Sequence, residues 1–214
     1  MLRALLFSLV TLGLIGCVRL GGLDDLEQRD QRWQIRQETL ATVNLWDLYA
    51  RAAVSLPGEA YNIGLQWQRK PDHFLLSIDA PFGQGVIQIE KLTAESYRLQ
   101  LPDGRIFTNN TPEALLDDVI GWAIPISGLE YWIRGMPREG STFKHRIEND
   151  GRAREISQDD WFIVYLDFFE AGENAALPRR LRLTHKTVTI KLAIERWQKA
   201  DIDDQGDDLF PAFN

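Results

Sequence analysis

Trp46-Asp47-Leu48-Tyr49-Ala50-Arg51-Ala52-Ala53-Val54, followed after Pro57-Gly58 by Tyr61-Asn62-Ile63-Gly64-Leu65-Gln66-Trp67, decides the fold. In the first run Trp46, Leu48, Ala50, Ala52 and Val54 alternate with Asp47, Tyr49, Arg51 and Ala53. In the second, Tyr61, Ile63, Leu65 and Trp67 alternate with Asn62, Gly64 and Gln66. A period of two places the sets on opposite faces of an extended chain, and Pro-Gly between them marks a tight turn. The same pattern continues at 74–79, 86–90 and 97–101, and the turn Pro102-Asp103-Gly104 leads into 105–108. It resumes at 143–147, 152–156, 161–168, 177–184 and 188–197, with His185-Lys186 at a tight turn between the last two. About eleven antiparallel strands at meander spacing are predicted, with no internal repeat.

Three helical patterns accompany the strands. Residues 24–42 are polar and rich in Gln, Arg and Asp, and Leu26, Trp33 and Leu40 recur every seven residues, the narrow stripe of a surface helix. Thr111 can cap a helix with Pro112 at its first position and Ala114, Leu115, Val119 and Trp122 on its apolar face. Ser127-Gly128-Leu129-Glu130 fits a capping box, and the short helix through Trp132 and Ile133 is predicted to stop at Gly135 before Pro137. A strongly curved sheet with Trp46, Trp67, Phe74, Ile89, Leu99 and Ile190 on its inner face cannot fill its own concavity unless it closes at small radius. The helices around Trp33 and from Trp122 to Trp132 are expected to cover it. Periodicity leaves open whether the result is a packed core or an apolar cavity.

The N-terminus supplies a separate signal. A basic start, Met1 to Arg3, precedes an apolar stretch over 4–15, too short to span a bilayer, which takes about 20 residues. The stretch ends in Leu14-Ile15-Gly16-Cys17, which resembles a bacterial lipobox. That resemblance implies a diacylglyceryl group on the Cys17 thiol, cleavage before Cys17 and acylation of the new amine. Residues 1–16 are then a signal peptide, 17–23 a lipidated tether, 24–199 the domain and 200–214 an acidic tail expected to be mobile, in which Phe210 and Phe213 could dock. Two or three acyl chains anchor stably where one does not. The resemblance also implies a sorting rule in which an Asp right after the cysteine favours inner-membrane retention. Val18 is not Asp, so the outer membrane of a Gram-negative bacterium, facing the periplasm, is expected. Beyond the acyl groups on Cys17, no cofactor is expected.

Chemistry is sparse elsewhere. The net charge of −7 argues against nucleic acid as a partner. Cys17 is the only cysteine, so packing and sheet pairing must hold the domain together. His73, His145 and His185 lack neighbours at metal-ligand spacing and read as surface or edge residues. The pairs Asp117-Asp118, Asp159-Asp160 and Asp203-Asp204 read as solvated turn and helix charges, because adjacent side chains diverge. No nucleophile, phosphate-loop or zinc motif occurs, and a non-enzymatic protein is expected. Phe82 stands at the tip of the loop Asp79-Ala80-Pro81-Phe82-Gly83-Gln84-Gly85-Val86, where turns normally place small polar residues. It either folds back onto the sheet rim or forms an apolar finger that dips into a membrane or partner.

The lipobox, the Pro81-Phe82-Gly83 loop, Gly121-Trp122-Ala123-Ile124-Pro125-Ile126 and Leu129-Glu130-Tyr131-Trp132-Ile133-Arg134-Gly135-Met136-Pro137 together resemble the outer-membrane lipoprotein receptor family LolB. The likeness covers most of residues 24–197 and is most specific over 121–137. It implies a mainly β fold with helices: an open antiparallel half-barrel of about eleven strands, lidded around an apolar cavity. It also implies a monomer that accepts triacylated lipoproteins from the periplasmic carrier LolA and inserts them into the inner leaflet of the outer membrane. The family's apolar loop residue, usually Leu, maps onto Phe82 between Pro81 and Gly83, the expected transfer loop. Trp46, Trp67, Ile89, Trp122 and Trp132 are candidates to line an acyl-chain cavity, although core packing accounts for each equally well. The alternative is an outer-membrane lipoprotein that binds another hydrophobic ligand or acts as an envelope-assembly scaffold.

Overall fold

The computed structural model describes residues 21–71, 73–79, 85–121, 124–170 and 177–198, with the side chains of 21–24 and of Ile120 left aside. The signal peptide and Cys17, the Pro81-Phe82-Gly83 loop, Trp122 and the tail with Phe210 and Phe213 lie outside the described residues.

Helix α1 (Gly21–Ala41) precedes strands β1 (Trp46–Leu56), β2 (Glu59–Lys70), β3 (His73–Asp79), β4 (Val86–Thr93), β5 (Ser96–Gln100) and β6 (Ile106–Asn109). Helices α2 (Pro112–Ile120) and α3 (Ile126–Trp132) follow, then β7 (Phe143–Ile147), β8 (Ala153–Gln158), β9 (Trp161–Phe168), β10 (Pro178–His185) and β11 (Val188–Gln198). All eleven strands form one antiparallel sheet in the order β6-β5-β4-β3-β2-β1-β11-β10-β9-β8-β7.

This order fixes where the helices go. The chain leaves the centre at β1, reaches one edge at β6 and re-enters at the opposite edge, β7. The α2–α3 segment must therefore bridge both edges across the open side of a twisted, coiled sheet. That face buries the alternating apolar residues of the strands, so the crossover becomes a roof over an open half-barrel. Long strands lie at the centre and short ones at the edges, which limits the exposed pairing surface.

Local chemistry sets the junctions. The Thr111 hydroxyl accepts the Ala114 N–H at 3.2 Å, Pro112 opens α2, and Gly121 closes it at φ 71° with its N–H on Asp117 and Leu116 carbonyls. The expected capping box at Ser127–Glu130 does not form: Pro125 is the N-cap and makes no side-chain cap bond. Glu113 of α2 takes that role from a distance, its Oε1 accepting the Ser127 N–H at 2.5 Å, while Glu130 pairs with Arg69. The α1 stripe holds at Trp33 and Leu40, both buried, but Leu26 is exposed. The physical reason is reach: α1 meets the β7–β8 turn at Arg32, whose Nη1 donates to the Asn149 carbonyl at 2.5 Å. Gly151 permits that approach, since a Cβ there would lie 2.7 Å from the Arg32 carbonyl carbon, and its φ is +81°.

Candidate functional site

A single cross-strand row runs through the concave face. Successive Cα partners are Trp197, Leu48, Trp67, Leu76, Ile89, Leu99 and Phe107, drawn from β11, β1, β2, β3, β4, β5 and β6. Two of the expected lining residues, Trp67 and Ile89, lie in this row. Trp46 joins it sideways, edge-to-face with Trp67 at 6.2 Å and with Trp197 at 5.9 Å between ring centroids. Trp67 meets Phe74 at 5.6 Å, and Phe74 meets Tyr97 at 5.8 Å. Such T-shaped contacts suit the ring quadrupoles.

Trp132 lies elsewhere, at the roof. Its indole Nε1 donates to Gln158 Oε1 at 3.0 Å on β8, and its ring leans on Trp161. Its backbone carbonyl accepts the Tyr165 hydroxyl at 2.9 Å. Trp46, Trp67, Ile89 and Trp132 are exposed by 1, 2, 0 and 0 %, so all four are packed between the sheet and its roof in this conformation. An open groove of about 630 Å³ lies on the other face of the sheet, among polar groups such as Tyr49, Gln66, Ser77 and Gln88.

Several residues that hold the roof carried no periodic signal. Arg134, just after α3, is 5 % exposed; its Nη1 donates to the Val43 carbonyl at 2.9 Å and its Nε to the Glu130 carbonyl at 3.1 Å. The guanidinium also lies 5.2 Å from the Trp46 ring and 5.0 Å from the Tyr131 ring, so it pins the α1–β1 link, α3 and the aromatic row together. Burial pulls its pKa below the usual arginine range, with Glu130 opposing. Arg69 on β2 pairs with Glu130 on α3 at 3.0 Å. Burial pushes the Tyr165 hydroxyl far above its ordinary value, so it stays a donor throughout the accessible pH range. Arg134 falls within the stretch 121–137 that carries the family resemblance, which was the available hint; its burial was not readable.

The remaining candidates resolve into structural roles. Asp159 and Asp160 both have positive φ, 52° and 62°, and make the two-residue β8–β9 turn. Asp159 also accepts from Arg138 and Ser141, which with the Arg138 charge outweigh burial and hold its carboxyl below the usual range. His73 is exposed, His145 stacks on Trp33 at 5.0 Å, and His185 stacks on Trp161 at 5.1 Å. Among the described residues no group of three or more His, Cys, Asp or Glu could hold a metal ion. The chemistry on offer is dispersion and hydrophobic contact, with directional bonds confined to the roof's attachments.

These features define a class: an antiparallel half-barrel with an apolar concave face and a helical roof, suited to long hydrocarbon groups. The chain belongs to the outer-membrane lipoprotein LolB family, whose profile matches residues 44–197. It is 33% identical over 198 residues to the outer-membrane lipoprotein LolB of Nitrosococcus oceani, covering 92% of this chain and 96% of that one. Against the LolB of Pseudomonas putida strain GB-1 the identity is 28% over 194 residues, 90% of this chain and 93% of that one. A DUF1329 family protein from Desulfovibrio piger shares the fold at a TM-score of 0.50 and 8% identity, covering 85% of this chain and 94% of that structure. The protein is thus an outer-membrane lipoprotein of a Gram-negative bacterium. Among the described residues no helix is long and apolar enough to cross a membrane.

Proposed function

We propose that this protein receives triacylated lipoproteins from a LolA-like periplasmic carrier and inserts them into the inner leaflet of the outer membrane, without catalysing a chemical reaction. The observation that carries the reading is the unbroken apolar row from Trp197 to Phe107 beneath a helical roof, in a chain of this family.

The energetics favour such a device. Each methylene exposed to water costs about 0.8 kcal/mol, so three acyl chains in the periplasm would cost tens of kcal/mol. A client therefore travels only inside an apolar site, and handover needs a receptor that binds somewhat better than the carrier. Release into a bilayer is downhill, because the bilayer buries the chains completely. The Trp46, Trp67 and Ile89 surface and the roof that carries Trp132 would separate to admit the chains, and Trp122 remains a candidate to line the opening. The acyl groups on Cys17 hold the domain at its destination.

Phe82 supplies the last step in this scheme. It belongs to the loop that joins β3 to β4, whose strand ends pair at Asp79 and Val86, and an apolar residue between Pro81 and Gly83 would enter the leaflet to guide chains out. The test offers carrier-bound lipoprotein to the full-length lipidated chain in vesicles. Wild type should capture the client and deposit it; Phe82→Glu should still capture it but deposit at least tenfold more slowly. Absence of capture by wild type would favour a different hydrophobic ligand or a scaffold role, and equal deposition by both proteins would remove Phe82 from the mechanism.

A further inference from the structure

Most cations on the outer face of the sheet have a carboxylate beside them. Arg51 pairs with Glu195 at 2.8 Å, Arg146 with Glu155 at 3.1 Å and Arg180 with Asp167 at 3.1 Å. Arg182 of β10 and Lys191 of β11 differ. They are direct Cα partners across the antiparallel pair, both are exposed, and neither has an ion pair among the described residues. Like charges facing each other on adjacent strands destabilise a sheet. In a chain with 31 acidic and 24 basic residues, leaving them together is a cost the fold does not require.

On the β9 side their neighbours on the same face are apolar. Val164 is the β9 partner of Arg182, and on either side of it along the strand Phe162 is 42% exposed and Leu166 43% exposed. Beyond Phe162 the row continues through Ser157 to Lys144, also exposed. The outer face of an antiparallel sheet is ordinarily polar. Here β9 presents an apolar ridge, Phe162-Val164-Leu166, with Arg182 and Lys191 on its β10 side. On its β8 side Val164 faces Glu155, whose charge Arg146 pairs, and Lys144 lies one strand beyond Ser157. That combination matches the interface of an anionic bilayer, where cations gain from the surface potential and an aromatic gains by entering the headgroup layer.

We propose that this outer patch, centred on Phe162, Arg182 and Lys191, rests on a bilayer that contains anionic phospholipid and so orients the anchored domain. The inference rests on the chain's place in the outer membrane and not on the receptor reading. The anchor keeps the patch within reach of the surface, so a contact too weak to recruit a free protein suffices to orient a tethered one. The basic pair supplies the lipid preference and Phe162 the contact with the acyl boundary.

The test uses the full-length lipid-anchored protein with a fluorophore at Ser157→Cys, beside Phe162. It is reconstituted in phosphatidylcholine vesicles with or without about one quarter phosphatidylglycerol, with brominated acyl chains as quencher. Quenching should require phosphatidylglycerol and fade at high salt. Arg182→Gln with Lys191→Gln should weaken the contact about 30-fold, at about fivefold per cation. The same double variant should raise the urea midpoint, because it relieves the like-charge pair. Quenching that ignores phosphatidylglycerol or survives the double variant would overturn the proposal, as would a lower urea midpoint. A double variant that keeps its lipid contact but slows handover from the carrier would assign the patch to a protein partner instead.

Discussion

The two sides of the concave face are held by different forces. Toward β7–β10, Gln158 is 3% exposed and uses its whole amide: Oε1 accepts from the Trp132 indole at 3.0 Å and the Arg138 amide at 2.7 Å, and Nε2 donates to the Arg138 and Ser141 carbonyls. Tyr165 adds its bond to the Trp132 carbonyl. Toward β1–β6 the roof covers aliphatic and aromatic side chains, and the indole N–H groups of Trp46 and Trp67 find no acceptor among the described residues. Satisfied buried networks specify one geometry, whereas apolar surfaces tolerate repacking. On the proposed receptor reading, the contrast makes β7–β10 the hinge side of the roof and β1–β6 the side where hydrocarbon would replace it.

The largest effect should come from breaking the hinge. Gln158→Leu would strand the Trp132 indole, the Arg138 amide and two carbonyls, at about 1–3 kcal/mol for each group that finds no water. A loss of about 4 kcal/mol of stability is expected by urea denaturation. On the opposite side, where packing and not hydrogen bonding is lost, Ile89→Val should cost only about 1 kcal/mol. If the two cost the same, the sides do not differ and the hinge assignment fails.

Arg134 ties α3 to the α1–β1 link and to Trp46, and its loss should rank second. Arg134→Met keeps much of the packing over Trp46 but leaves the Val43 and Glu130 carbonyls without their donor. About 2 kcal/mol of destabilisation is expected, since a buried carbonyl costs about 1–3 kcal/mol when unpaired while removing a buried charge returns part of that. Native-state hydrogen exchange should show the loss in the α1–β1 link and α3 first. Uniform acceleration across β8 and β9 would instead make Arg134 a general core residue.

The sheet was legible in the sequence because its cause is local. The alternation at 161–168 predicts a strand with the bounds that β9 has, and the other strand ends moved by a few residues at most. The roof's position followed from apolar helices and from a curved sheet that cannot fill its own concavity. Its attachments were not legible. Gln158 reads as a strand-end polar residue until Trp132 arrives from 26 positions away, and Arg134 reads as a surface charge until the Leu40 carbonyl comes near, 94 positions distant. The Ser127–Glu130 reading failed for the same reason: Arg69, 61 residues before Glu130, claimed that carboxylate. Local pattern specifies which face is apolar, but polar groups choose partners that only the tertiary fold supplies.

The smallest predicted change tests the comparison most finely, because it acts on the opening side alone. Arg69 and Glu130 are joined at 3.0 Å with side chains 26 and 24% exposed, so water screens the pair in part. Glu130→Gln should cost about 1 kcal/mol or less in global stability. Its local effect should be larger in kind: α3 loses its ionic tie to β2 while the Gln158 and Tyr165 bonds to Trp132 stay in place. Exchange of α2 and α3 amides should therefore quicken several-fold with β8 and β9 unchanged, and added salt should reproduce the change in wild type. Combining Arg69→Gln with Glu130→Gln should add little, since either change alone removes the tie. Equal quickening in β8 and β9 would mean that the roof moves as one rigid piece, and the division between a hinge side and an opening side would fall.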